Sequence, residues 1–135
     1  MSERRLIRVR DVMKIEVVMV DRLTTVRDAL ATMKARGVNA LIVNRRDEND
    51  EYGMVLLSDI AKKVLALDRS PKRVNVYEIM AKPVVSVRAE MDIRYCARLF
   101  NNFGLNYAPV LDKEKIVGIV SNAEIALNSL LDKLD

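Results

Sequence analysis

Gly37-Val38-Asn39-Ala40-Leu41-Ile42-Val43 and Gly53-Met54-Val55-Leu56-Leu57-Ser58-Asp59-Ile60 return later in the chain, in the same order. They come back as Gly104-Leu105-Asn106-Tyr107-Ala108-Pro109-Val110 and Gly118-Ile119-Val120-Ser121-Asn122-Ala123-Glu124-Ile125. Each phrase opens on a glycine and runs into a short apolar stretch of the kind that forms a strand covered on both faces. An internal repeat means that one supersecondary unit is built twice, so this repetition decides the fold. Working outward, Asp11-Val12-Met13 matches Glu78-Ile79-Met80, and Val18-Met19-Val20 matches Val85-Ser86-Val87. Val26, Ala29, Leu30 and Met33 match Ile93, Cys96, Ala97 and Phe100. The offset is 67 up to Val43 and Val110, and 65 from Gly53 and Gly118 onward. The slip falls between NRRDENDEY and LDKEK, polar segments where a loop can change length without touching the core.

Each copy predicts the same elements. An extended segment comes first, at 17–20 and 84–87. A helix follows. Thr25 caps the first, with Asp28 as a partial capping box, and Gly37 stops it; Asp92 and Gly104 do the same for the second. Two strands then flank a turn, at 40–43 with 54–57 and at 108–111 with 116–120. A closing helix ends each copy, at 58–67 and 122–134. A strand-helix-strand-strand-helix unit of about 60 residues is marginal alone, but two can cover each other's apolar faces. The expected architecture is therefore α/β: tandem β-α-β-β-α repeats packed with pseudo-twofold symmetry as one globular unit. The first repeat spans 8–67, the linker 68–73, and the second repeat 74–134.

Composition narrows the function. Of the 135 residues half are hydrophobic and 31% charged, the make-up of a globular domain, and no apolar run approaches a membrane span. The start MSERRLIRVR lacks the apolar core of a signal peptide, so a cytoplasmic location is expected. That start is read as flexible, with contact to nucleic acid or a partner as the other possibility. There is one cysteine and no histidine. An internal disulfide and a Ser-His or Cys-His nucleophile are thereby excluded, and a zinc site is disfavoured. The net charge of +4 suits a small anionic ligand.

The ordered set of Met, apolar segment, helix, Gly-Val-Asn-Ala-Leu-Ile-Val and Gly-Met-Val-Leu-Leu-Ser-Asp-Ile resembles a CBS motif. So does the second set, with its Ala-Pro-Val and Gly-Ile-Val-Ser. The resemblance covers about residues 8 to 133. CBS pairs, also called Bateman modules, occur alone and attached to enzymes and transporters. The resemblance implies a non-catalytic regulatory module that binds AMP, ATP or S-adenosylmethionine in the cleft between the motifs. It needs no metal or catalytic cofactor, assembles as a homodimer and acts on an effector protein.

The family's ribose-binding Asp falls on Asp59 and Glu124, and its hydroxyl residue, three positions earlier, on Leu56 and Ser121. Two candidate sites follow. One combines Ser121, Glu124, Ile119, Asn106 and Tyr107 with Met13, Val18 and Val38. The other combines Asp59, Ser58, Met54, Asn39 and Ala40 with Met80, Val85 and Leu105. A carboxylate suits a ribose because two adjacent hydroxyls can donate to it. Glu124 is one methylene longer than the pattern asks, and Leu56 lacks the hydroxyl, for which Ser58 could substitute. The reading leans toward the Ser121/Glu124 site.

Plainer roles stand beside these. Ser121-Asn122-Ala123-Glu124 is a complete capping box, which stabilises any helix. Asp59 could answer a helix dipole alone. The Met and Val positions could be core, and Cys96 a small buried hydrophobe. Arg45-Arg46 reads as a solvated turn whose arginines could reach a ligand phosphate. The alternatives for the whole chain are a structural dimerisation module with degenerate sites and, further off, a nucleic-acid-binding protein. For the latter, four Tyr and two Phe make no obvious stacking platform.

Overall fold

The computed structural model describes residues 6–131. Residues 1–5 of the basic start and residues 132–134 of the second closing helix lie outside the described residues. Helix α1 spans Val9–Val12; strand β1, Met19–Val20; helix α2, Val26–Arg36; strands β2 and β3, Ala40–Val43 and Gly53–Leu56. Helix α3 is Leu57–Ile60, continued by a wider π-type turn over Ala61–Leu65. A 3-10 turn over Val76–Glu78 leads into the second copy. There β4 is Val87–Arg88, α4 Ile93–Phe103, β5 Tyr107–Asp112, β6 Lys115–Ser121 and α5 Asn122–Ile125, with a π-type continuation over Ala126–Leu131.

The caps lie where the sequence put them. Thr25 accepts from the Asp28 amide at 3.1 Å, and Asp92 from the Arg94 amide at 2.9 Å. Gly37 and Gly104 end their helices in the left-handed region, at φ 65° and 62°, where a side chain would be strained. Each copy forms a three-stranded sheet. β1 runs parallel to β2, and β2 antiparallel to β3; β4, β5 and β6 repeat the pattern. The opening strands are shorter than 17–20 and 84–87 suggested, two residues each, and β4 begins only at Val87. The closing helices depart from the single α-helices expected. After one α turn they widen, with the Ala66 amide donating to the Ala61 carbonyl at 2.9 Å.

The hairpin turns explain the slip in the repeat. β5 and β6 are joined through Lys113 and Glu114, both at positive φ, a tight two-residue turn. β2 and β3 are joined by the longer loop 44–52, whose Asp50 accepts from the Arg46 backbone at 2.9 Å and pairs with Lys82 at 2.7 Å.

The chain divides into two compact units that do not follow the sequence copies. The central unit is Val18–Val84. The terminal unit joins the described residues up to Val17 to those from Val85 onward. Each copy's lead-in thus packs with the other copy's sheet. In the terminal unit, Val9 and Val12 are buried with Val87, Ile93, Phe100 and Val110. In the central unit, Val74, Val76 and Ile79 are buried with Val26, Leu41 and Val55. This corrects the reading of the start as flexible. From Ile7 on it is core, because Ile7, Val9 and Val12 put their side chains on the second copy's sheet while the arginines between them stay outside. Among the described residues no helix is long and apolar enough to cross a membrane.

Candidate functional site

The two units place a carboxylate at the same point, where the last strand turns into the closing helix. In the terminal unit β6 ends on Ser121, the N-cap of α5. The Ser121 hydroxyl and backbone N–H both donate to Glu124 Oε1, at 2.7 and 3.1 Å, and the hydroxyl accepts from the Glu124 N–H at 3.3 Å. The other carboxylate oxygen, Oε2, lies 3.8 Å from Lys14 Nζ. The Asn122 N–H donates to the Asn106 carbonyl at 3.1 Å, and its side-chain amide to Asn106 Oδ1 at 3.3 Å. Tyr107, half-buried, stands opposite Ser121 in the β5–β6 register.

Lys14 is held there by its backbone, which exchanges two 2.9 Å hydrogen bonds with Ile119. The close approach needs Gly118. A Cβ at that position would sit 2.6 Å from Met13 Sδ and 2.7 Å from the Lys14 carbonyl. The lead-in thus lays Met13 and Lys14 along β6, and Lys14 reaches the acid. Sequence reading did not single out Lys14, because its counterpart in the other copy is Ala81 and no repeat pattern marks it.

In the central unit β3 ends on Leu56. Asp59 accepts from the Leu56 N–H at 3.0 Å through Oδ2, and nothing among the described residues donates to Oδ1. The Leu57 N–H donates to the Asn39 carbonyl at 2.9 Å. Met54 exchanges backbone bonds with Ala81, at 3.0 and 2.9 Å, and Met80 packs on Gly53, where a Cβ would meet its sulfur at 2.5 Å. Ala40 and Met54 are buried. Ser58 is exposed and makes no side-chain hydrogen bond among the described residues.

Of the predicted residues, Met13, Asn106, Tyr107, Ile119, Ser121 and Glu124 gather in the terminal unit. Asn39, Ala40, Met54, Ser58, Asp59 and Met80 gather in the central unit. Val18 and Val38 belong to the central unit, Val85 and Leu105 to the terminal one. Val18 is core, Val38 and Leu105 pack against the cores, and Val85 is exposed. Burial pushes the Cys96 thiol up to about 11, so it sits inert in α4 as a small apolar group. Among the described residues no cluster of three Cys, Asp or Glu could hold a metal ion.

The CBS domain family model matches residues 9–66 and 76–129. This chain is a member of the CBS domain family. A hexameric CBS-CP12 protein from bloom-forming cyanobacteria shares 40% identity and a TM-score of 0.89, over 92% of this chain and 72% of that one. The CBS domain pair of protein MJ0100, solved with 5′-methylthioadenosine and S-adenosyl-L-methionine, has the same fold, with a TM-score of 0.76 at 22% identity over 90% of this chain and 94% of that one. A homoserine O-acetyltransferase from Methanosalsum zhilinae is 32% identical over 88% of this chain, which spans 23% of that enzyme. The chain covers less than half the length of two of the curated relatives it matches.

Proposed function

We propose that this CBS pair is a non-catalytic sensor for an adenosine-containing ligand, AMP, ATP or S-adenosylmethionine, whose bound state a partner protein reads. The reading rests on one observation: each unit presents a carboxylate fixed by its own backbone, next to a strand-start asparagine and a methionine laid over glycine. A ribose needs an acceptor for two adjacent hydroxyls, and a carboxylate oxygen with no other donor offers one. Asp59 Oδ1 has none among the described residues, whereas Glu124 already takes two bonds from Ser121 and faces Lys14. This favours Asp59 as the first holder of ribose, the reverse of the lean toward Glu124. The longer, tied carboxylate would have to exchange partners to bind.

Signalling follows only from differential affinity between conformations. Calorimetric titration with AMP, ATP and S-adenosylmethionine tests the proposal; the last is included because the MJ0100 pair was solved with it. We expect saturable heat with at least one, and about 2 to 4 kcal/mol of added apparent stability at saturating excess. Asp59→Ala should weaken binding at least tenfold, Glu124→Ala less. No heat and no thermal shift with all three would end the nucleotide reading.

A homodimeric structural module is the second reading. It is favoured by leucines left exposed on the closing segments, Leu65 at 78% and Leu131 at 68%, and by a Glu124 whose Oε1 is taken by its cap. The hexamer formed by the CBS-CP12 protein supports self-association. Sedimentation of Leu65→Glu tests the second reading: a loss of oligomer supports it, an unchanged oligomer counts against it, and an oligomer-forming chain that binds none of the three ligands leaves it alone standing.

A further inference from the structure

We propose that the central unit carries an oxyanion site, separate from Asp59, in which Arg22, Arg45 and Arg46 bind a small phosphorylated or polyphosphate ligand. A cavity of about 380 Å³ lies between the Asp21-Arg22 segment and the Asn44-Arg45-Arg46 segment, floored by β1. Both segments leave the same end of the sheet, since β1 and β2 are parallel and Val20 pairs with Val43. The crevice outside the carboxyl ends of parallel strands is where open α/β sheets take ligands. The volume falls within the roughly 300 to 1,000 Å³ of small-molecule sites. Asn39 and Ala40 stand at the other end of β2, about 13 Å away at 3.3 Å per residue.

The arginines are arranged for an oxyanion. Arg22 lies over the Tyr77 ring at 4.7 Å and Arg45 over the Tyr52 ring at 5.0 Å. Stacking fixes a guanidinium by its face and leaves the N–H edge, the part that matches phosphate oxygens, available. Neither pairs with a carboxylate among the described residues. Arg46 donates to Asp50 at 3.2 Å, but Asp50 is also paired with Lys82, so that trio keeps one positive charge. The one acid in the lining, Asp21, accepts from the Leu23 N–H at 3.0 Å. The fold does not require this cluster. The same positions of the terminal unit hold Arg88, Ala89, Leu111, Asp112 and Lys113. The exposed Asp47, Glu48 and Glu51 on the same loop oppose a nucleic-acid backbone, which is why a small ligand is the occupant.

The test is titration of inorganic pyrophosphate at fixed ionic strength, read by calorimetry and by amide NMR shifts. Saturable binding with shifts centred on 19–22 and 44–46 is expected. Arg22→Gln with Arg45→Gln should weaken it at least tenfold, and Asp59→Ala should leave it within twofold while weakening adenosine-ligand binding at least tenfold, so the two proposals fail separately. Should the Gln pair lose its fold, Arg22→Lys with Arg45→Lys carries the test, because charge stays and the two-pronged contacts go; a several-fold loss is expected. Unsaturable binding, unchanged affinity in either double variant, a loss with Asp59→Ala, or tighter and steeply salt-dependent binding of single-stranded RNA overturns the proposal.

Discussion

In the terminal unit the carboxylate at the end of the last strand is closed: Ser121 takes one of its oxygens and Lys14 stands at the other. In the central unit the matching carboxylate is open, because Leu56 brings no hydroxyl and Ala81 stands where Lys14 does. The backbone bonding around the two acids is the same. Each acid bonds the N–H at the strand end, each strand-start asparagine accepts from the first residue of the closing helix, and each lead-in lies over a glycine. Duplication thus kept the frame, while two side-chain positions set how available each acid is. Stability and binding compete here, since the capping box that stabilises the helix start also occupies an oxygen a ligand would use.

The cores test the comparison with the largest effect. Phe100 and Met33 are counterparts, and both are buried. Phe100→Ala should cost about 3 to 5 kcal/mol, and Met33→Ala nearer 2 to 3, because the smaller side chain leaves a smaller cavity. Urea denaturation of both variants checks this; a costlier Met33→Ala would mean that the two cores are not packed alike.

The glycines under the lead-ins come next. At Gly118 a new Cβ meets a backbone carbonyl at 2.7 Å as well as a sulfur, and backbone cannot step aside. At Gly53 the tight contact is Met80 Sδ, the movable part of a flexible side chain, with the Ala81 carbonyl at 3.3 Å. Gly118→Ala should therefore cost about 2 kcal/mol and Gly53→Ala about 1 or less. Equal losses would remove the distinction between the two lead-ins. Ser121→Ala follows at about 1 kcal/mol, the worth of a cap. It should also remove the shorter of the two bonds to Glu124 Oε1 and leave only the one from the backbone N–H, so any adenosine affinity of the terminal unit should rise as its stability falls.

Much of this was legible in the sequence, for local reasons. Thr25, Asp92, Gly37 and Gly104 act within one turn of where they stand, so the helices could be bounded by eye. Ser121 and Glu124 are three residues apart and read directly as a cap. The lead-ins were legible only in part: the family pattern set Met13 with Ile119 and Met80 with Met54, but the stretch before Met13 did not read as core. α1 is only four residues long and shows no helical period, and its partner sheet lies far along the chain, so Ile7 and Val9 looked like part of a charged tail. Lys14 escaped for the same reason, because it meets Glu124 only through pairing with Ile119. The arginine-lined cavity joins two strand ends separated by a helix, and the sequence showed Arg45-Arg46 as a solvated turn within possible reach of a ligand phosphate, without Arg22 beside it.

The hairpin loops supply the smallest difference. Asp50, on the longer loop, has a side chain only 9% exposed, and its carboxyl is held well below the ordinary 3.8, first by Lys82, then by the Arg46 backbone N–H and side chain. Its pKa is lower folded than unfolded, so the pairing stabilises fully above about pH 4 and is lost as pH falls through and below that value. Among the described residues the short turn at Lys113-Glu114 has no counterpart of this pair, so the central unit should carry this part of the acid sensitivity. Asp50→Asn should be less stable than the parent at pH 7, and the gap should narrow between pH 4 and pH 2. Lys82→Met should show the same loss at pH 7 and a shallower fall in acid. Urea melts at pH 7, 5 and 3 measure both. A gap that stays constant down to pH 3 would mean that folding leaves the Asp50 carboxyl at its unfolded pKa, and that neither Lys82 nor the Arg46 backbone N–H stabilises its charge.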